Sequence, residues 1–385
     1  MKNFVYWNPT RIVFGAGSIA QLKRLVPAGV KILLLYGGGS IFKNGVHAQV
    51  LEALQGWQLI EFGGIEPNPT YETLMQAVEI IRKENIDFLL AVGGGSVLDG
   101  TKFIAAAVPY GEVDPWDILA NGARVSAAIP FGSVLTLPAT GSEMNSGAVI
   151  SRKSTQEKRN FSSPFTFPLF SILDPTSTFS LPAKQVRNGI VDTFVHVVEQ
   201  YLTFPQATPL QDRQAEAILL TLVEQAEAIL AEPKEYDAMA TFMWSATQAL
   251  NGVIGCGLVQ DWATHTIGHE LTAFYGLDHA ETLAVIYPAL LRHKHESKRE
   301  KLLQYGERIF GINQGSQVER VEAAIAATEQ FFHKIGMPTT LGDYQINPQQ
   351  AAERIAERMK ARNNKIGEHD DILPEDVHQI VLDAG

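Results

Sequence analysis

The chain has 385 residues, 45% of them hydrophobic and 19% charged, with a formal net charge of −11. At roughly 150 residues per domain, that length predicts about two globular domains with substantial cores. The acidic balance argues against nucleic acid and an anionic membrane surface as partners.

The single cysteine, Cys256, rules out an internal disulfide and suits a reducing compartment. No apolar run approaches the ~18 residues of a membrane-spanning helix. The first residues, MKNFVYWNPTRIVFG, lack the hydrophobic region and cleavage site of a signal peptide, so the expected location is the cytoplasm.

Residues 3–14 alternate apolar and polar around Asn8-Pro9, which predicts two short strands and a turn. Gly15, Gly17 and Ala20 match the spacing of a G-x-G-x-x-A dinucleotide fingerprint. That fingerprint requires an acidic residue about twenty positions on. No Asp or Glu occurs from Met1 to Val50, so this loop is read as a tight turn with a helix cap at Ser18.

Two stronger phosphate-binding candidates follow. Lys31–Tyr36 reads as a buried parallel strand running into Gly37-Gly38-Gly39-Ser40, and Asp87–Val92 as another running into Gly93-Gly94-Gly95-Ser96 and a helix. Glycines at a strand's carboxyl end let the backbone approach a ligand, and the exposed N–H groups there bind a pyrophosphate. Two such turns, with a helical segment near 70–84 between them, predict a doubly wound, Rossmann-like parallel sheet. Val134–Leu137 is a further strand, running into the hydroxyl- and amide-rich loop Pro138–Asn145. Residues 170–174 read as the last strand.

Beyond Leu181-Pro182 the pattern becomes 3.6-periodic, with breaks expected at Pro205, Pro209, Pro233, Pro288, Pro338, Pro348 and Pro374. Asn347-Pro348 reads as a helix start. The expected organisation is an α/β dinucleotide-binding domain over 1–180 and an all-helical metal-binding and catalytic domain over 181–385.

The chemistry is expected in the helical half. His265 and His269 are spaced i,i+4 and share one helical face. His279 would lie about 21 Å from His265 along an unbroken helix, too far to share a metal. Gly276 suits a helix C-terminus and Asp278 an N-cap, so a turn there brings His279 back toward His265. Asp192 and His196 form a second i,i+4 pair on an apolar helix, where a carboxylate is costly unless paired or coordinated. One Asp and three His make a ligand set for Zn²⁺ or Fe²⁺. His269-Glu270 does not open a zinc-protease motif, because Ala273 occupies the position of the second histidine.

The segments FGGIEPNPTYETL, AVGGGSVLDGTKF, TLPATGSEMNSGAVIS, LDPTSTFSLPAKQVRNGIVDTFVHVVEQY and QDWATHTIGHELTAFYGLDHAETLA carry a resemblance. From end to end the chain resembles the metal-containing (group III, iron-type) alcohol dehydrogenases, and especially the bacterial NADPH-dependent aldehyde reductases and butanol dehydrogenases. The resemblance implies a dehydroquinate synthase-like, alcohol dehydrogenase architecture with the active site in the cleft between the domains. It matches Asp192, His196, His265 and His279 to metal ligands, and His269 to a non-ligand histidine that relays a proton or shapes the pocket.

The same resemblance matches Gly38, Gly39, Ser40, Asn68, Gly94, Gly95, Ser96, Asp99, Thr136, Thr140, Asn145 and Lys158 to cofactor-contacting positions. It departs from close relatives at Ser177, where they carry a tyrosine. The implied assembly is a homodimer.

NAD-preferring relatives place an Asp just after the second strand. Here Gly37–Ser40 stands there, followed by Lys43 and no neighbouring carboxylate in sequence, which fits a 2′-phosphate and hence NADP(H). The expected reaction is reduction of short- to medium-chain aldehydes to primary alcohols, with a divalent metal as Lewis acid. Rival readings are a metal- and NAD-dependent lyase on the same scaffold, or a non-enzymatic nucleotide-binding protein. The first needs cations around Asp192 and His265 that the sequence does not supply, and the second leaves the buried Asp-His sets unexplained.

Overall fold

The computed structural model describes residues 1–111, 113–232 and 234–385; Pro233, one of the expected helix breaks, lies outside them. The chain divides into two compact units. The α/β unit comprises residues 7–182 and 231–251, and the helical unit residues 1–6, 183–230 and 252–385. The expected single boundary near residue 180 thus falls close to one junction, and the Tyr236–Ala249 helix belongs with the α/β unit.

Among the described residues of the α/β unit, six strands form a parallel sheet: β1 (Arg11–Phe14), β2 (Lys31–Tyr36), β3 (Gln58–Phe62), β4 (Phe88–Gly94), β5 (Phe131–Leu137) and β8 (Phe170–Leu173). Their spatial order is β1-β8-β5-β4-β2-β3. β6 (Gly147–Arg152) and β7 (Glu157–Ser162) form a separate antiparallel hairpin.

The central strands are apolar throughout because both sheet faces are covered. Leu33, Leu35, Leu89 and Ala91 enter one core cluster with the Tyr71–Glu84 and Gly95–Ala107 helices. Their neighbours Ile32, Leu34, Phe88 and Leu90 enter the other. Each such leucine, isoleucine or phenylalanine, fully buried, contributes about 1.5–3 kcal/mol.

β3 and β4 lie on opposite sides of β2, so the strand order reverses between β2 and β4. Tyr36 pairs with Val92, which sets the two glycine turns level at the carboxyl ends flanking this switch point. In open α/β sheets, that is where ligands bind.

The N-terminal segment differs from expectation. Only Arg11–Phe14 is a strand, because the ladder with β8 begins at Arg11. Phe4, Val5, Tyr6 and Trp7 are exposed. Ser18 does not cap: its Oγ is buried without a hydrogen-bond partner, and Gly17, in the left-handed region at φ 73°, opens a short 3-10 turn instead.

In the helical unit, the Ala183–Tyr201 helix is exposed over its first turn and buried without interruption from Gly189 to Tyr201, where its apolar residues lie on every side. Pro209, Pro348 and Pro374 each begin a helix, as their missing N–H permits. Asn347 Oδ1 caps Gln350 N at 3.0 Å. Pro288 does not break its helix but sits inside His279–His293, a helix buried from Ala280 to Leu291. Tertiary packing there outweighs the loss of one backbone hydrogen bond.

Candidate functional site

The Ala183–Tyr201 helix contributes Asp192 and His196, one turn apart on one face. The Ala263–Tyr275 helix contributes His265 in its first turn. It ends at Gly276, in the left-handed region at φ 74°, and Asp278 opens the His279–His293 helix with a capping box in which Glu281 accepts from Asp278 N at 2.9 Å. Lys184 Nζ stands 2.8 Å from Asp278 Oδ2 and 3.0 Å from Glu281 Oε1, tying this turn to the helix that carries Asp192. The hinge read from the sequence forms, and it places His279 with His265.

The four side chains converge. His196 Nε2 and His279 Nε2 each lie 3.5 Å from Asp192 Oδ1, and His265 Nε2 lies 3.9 Å from it. One donor atom from each residue falls within 4.8 Å of the others. These separations are too long for hydrogen bonds. They approximate the edges of a ligand tetrahedron, which for donors ~2.0–2.2 Å from a zinc-sized ion are about 3.3–3.6 Å.

Asp192 is buried and its Oδ1 has no hydrogen-bond partner, a costly arrangement that a cation at this point would relieve. The donor set therefore fits a divalent metal. His196 and His265 are buried as well, whereas the His279 side chain is 23% exposed, so the cluster opens on that side.

His269 follows His265 by one turn, with its ring centroid 5.5 Å from that of His279. Glu270 points elsewhere: its carboxylate is held by Arg358 at 2.8 Å and Arg362 at 2.5 Å, a structural role consistent with the absence of a protease motif.

Glu199 was missed by sequence reasoning. It shares the stripe of Asp192 and His196 at i+7 and i+3, so the spacing D-x3-H-x2-E was the available signal. Its Oε2 bonds His265 Nδ1, and its Oε1 accepts from Thr264 N at 2.7 Å. Burial pushes the Glu199 carboxyl well up from its usual range and Asp261 adds to the effect. A divalent cation bound by His265 would act in the opposite sense.

The α/β unit carries the expected dinucleotide positions. A Cβ on Gly38 would meet no protein atom within 4 Å, so the fold does not demand glycine there and the space is open to a ligand backbone. Gly39 adopts φ 90°, and Ser40 begins the short helix behind it. The second turn is different. A Cβ on Gly94 would stand a tight 3.0 Å from Leu137, and one on Gly95 only 2.5 Å from Thr140, so packing also demands the glycine at 95. Ser96 lies in the first turn of the Gly95–Ala107 helix.

Several of the other matched residues are committed to protein partners. Asn145 Oδ1 accepts from Lys102 Nζ at 2.8 Å and Gly147 N at 3.0 Å, while its Nδ2 donates to Leu250 O at 3.2 Å. Asp99 accepts from Ser142 Oγ at 2.6 Å and Val149 N at 2.9 Å. Lys158 Nζ donates to Asn68 Oδ1 at 2.8 Å. Thr140 Oγ1 accepts from Ser142 N at 3.2 Å, and Thr136 is buried on β5.

Ser177 is buried too, its Oγ donating to Asp174 O at 2.7 Å. Beneath this loop Lys102 is fully buried. Desolvation lowers its pKa to about 8 even though Asp99 and Glu143 favour the charge.

One carboxylate escaped the sequence reading of the first turn. Glu61, on β3, lies 3.0 Å from His47 Nε2 and, after burial, is the main influence raising the Tyr36 hydroxyl. Tyr36 immediately precedes Gly37, so a strand distant in sequence supplies the charge that chain neighbours lacked.

A parallel α/β unit with glycine turns at its switch point, and a helical unit bearing a buried carboxylate–imidazole cluster, define a metal-type dehydrogenase. The chain belongs to the iron-containing alcohol dehydrogenase family: residues 9–175 match the family's main domain and residues 187–385 its C-terminal domain.

It is 56% identical to the NADPH-dependent aldehyde reductase YqhD of Escherichia coli K12 over 97% of each chain. It is 42% identical to the probable NADH-dependent butanol dehydrogenase 1 of Bacillus subtilis over 99% of each. The crystal structure of E. coli YqhD superposes with a TM-score of 0.98 at 53% identity, covering 100% of this chain and 99% of that one.

Proposed function

We propose that this protein reduces short- to medium-chain aldehydes to primary alcohols with NADPH, using one divalent metal ion held by Asp192, His196, His265 and His279. The observation that carries the reading is the approach of three imidazole Nε2 atoms to one buried, unbonded carboxylate oxygen. When bound, the ion supplies Lewis-acid polarisation of a carbonyl oxygen and the nicotinamide supplies hydride. Four protein donors suit either Zn²⁺ or Fe²⁺.

The chain's own residues orient and desolvate. Asp192 offsets the charge of the cation, and the burial of Asp192, His196 and His265 keeps water from three of the four donors. His269, one turn from His265, relays the proton that completes the alcohol or shapes the substrate pocket. Gly38, Gly39 and Ser40, with Gly94, Gly95 and Ser96, offer backbone N–H groups to the pyrophosphate.

Asn68, Asp99, Thr136, Thr140, Asn145 and Lys158 shape the platform, Asn145 and Asp99 chiefly by holding the Pro138–Asn145 loop. Preference for the 2′-phosphate is supported by Ser40 and Lys43 behind the first glycine turn, with Glu61 on β3 as the opposing charge. The lyase alternative is not favoured, since the relatives are dehydrogenases and reductases. A homodimer is supported by the exposed apolar segment Phe4–Trp7, and a cytoplasmic location by the single cysteine.

The deciding assay is loss of 340 nm absorbance with NADPH and butanal, with and without chelator. Turnover that stops on chelation and returns with added metal is expected; turnover indifferent to exhaustive metal removal contradicts the scheme. A kcat/KM for NADH equal to or above that for NADPH overturns the cofactor choice.

A further inference from the structure

Glu199 divides its carboxylate between two groups of a single helical turn, the backbone N of Thr264 and the ring Nδ1 of His265. Capping does not account for both contacts. Thr264 N is satisfied by Oε1 alone, and the preceding N–H, that of Ala263, is taken by Asp261 Oδ1 at 2.8 Å. Oε2 therefore serves the ring.

The support behind it is a buried chain of hydrogen bonds and ion pairs. Asp261 N donates to Glu199 O at 2.9 Å, and Asp261 Oδ2 lies 2.9 Å from the buried Lys298 Nζ. That ammonium also meets Glu368 at 2.7 Å and Leu202 O at 2.8 Å.

We propose that Glu199 is a positioning residue of the metal centre, fixing His265 as its Nδ1–H tautomer so that Nε2 presents a lone pair toward Asp192 and the ion. A neutral imidazole carries one N–H and one acceptor nitrogen, and a carboxylate can only accept. Pairing Glu199 with Nδ1 places the proton there and leaves Nε2, 3.9 Å from Asp192 Oδ1, as the donor atom. The carboxylate also makes the ring more basic and so a stronger ligand. One stretch of the Ala183–Tyr201 helix thus supplies two ligands and the group that orients a third. The inference rests on the reading of the four donors as a metal site.

The test is Glu199→Gln in the full-length protein loaded with Zn²⁺ alone or Co²⁺ alone. The amide oxygen can still accept from Thr264 N, so the cap survives. Its NH₂ now faces Nδ1 and forces the proton onto Nε2. Zinc release to a chelator is expected to accelerate about 10–100-fold, the usual effect of losing such a supporting partner. The visible absorption of the cobalt protein should shift, and the melting temperature of the metal-free protein should stay unchanged.

Zinc release and a cobalt spectrum identical to the unsubstituted protein's would overturn the proposal, since a cap alone predicts that result. Nitrogen NMR of the unsubstituted zinc protein gives an answer even if the variant fails to fold: a proton on His265 Nδ1 is expected, and a bare Nδ1 refutes the assignment. An unsubstituted protein that takes up no stoichiometric zinc or cobalt defeats the metal reading itself, whereas tight binding indifferent to E199Q defeats only the role of Glu199.

Discussion

His279 Nε2 stands 3.5 Å from Asp192 Oδ1, the same separation as His196 Nε2 from that oxygen, although the two histidines ride on different helices. Asp192 is the common point, so its charge should decide whether the cluster holds an ion. Asp192→Asn keeps the shape and removes the charge. Metal content is expected to fall from one ion per chain toward none, and activity to fall by more than the ~100-fold typical of a lost supporting partner. His265→Ala should do the same. Elemental analysis beside the butanal assay checks both, and an active, metal-free variant would sink the scheme.

The two glycine turns should respond differently to the same methyl group. Gly38→Ala meets no protein atom and should leave stability within about 0.5 kcal/mol while weakening NADPH binding. Gly95→Ala drives a Cβ to 2.5 Å from Thr140 and should cost about 1–3 kcal/mol in folding. Denaturant titrations paired with cofactor-binding curves separate the cases. Equal stability losses at both positions would show that Gly38 is held by packing after all.

Lys102 should titrate apart from the other lysines. Burial lowers its pKa in the folded chain to about 8 from an ordinary 10.5. Below pH 8 both folded and unfolded chains carry the charge, and the folded state bears the full cost of burying it. Between pH 8 and 10.5 the folded chain has released the proton while the unfolded chain keeps it, so this group's contribution to stability rises with pH over that window. Lysine labelled with ¹³C at Cε should give one resonance with a midpoint near 8; titration of every lysine near 10.5 would contradict it.

Glu270 sits next to His269 in sequence yet should matter to stability and not to metal. Its buried carboxylate faces Arg358 and Arg362, and Glu270→Ala takes that shared partner from both cations. Breaking a fully buried pair from one side costs about 3–5 kcal/mol, and the loss here should be smaller because both guanidinium groups reach solvent and Arg358 also lies over the Phe274 ring. A lowered melting temperature with one metal ion per chain retained is expected. Metal loss in a still-folded variant would place Glu270 in the site.

Much of this was legible in the sequence because it is local. Helical periodicity placed Asp192 with His196, the glycine at 276 and the cap at 278 dictated the fold-back of His279, and apolar runs ending in glycines marked β2 and β4. Each signal lies within a few residues, where backbone geometry alone fixes which side chains share a face.

What the chain could not state by itself was which distant groups complete one another. The partner of Glu199 lies on another helix, Glu61 reaches Tyr36 from a neighbouring strand, and Asn145 and Asp99 also hold the Pro138–Asn145 loop in place. Pro288 persists within a helix and residues 3–8 form no strand for the same reason. Burial and ladder pairing are settled by neighbours in space, and a buried polar atom takes whichever partner the packing brings within hydrogen-bond reach.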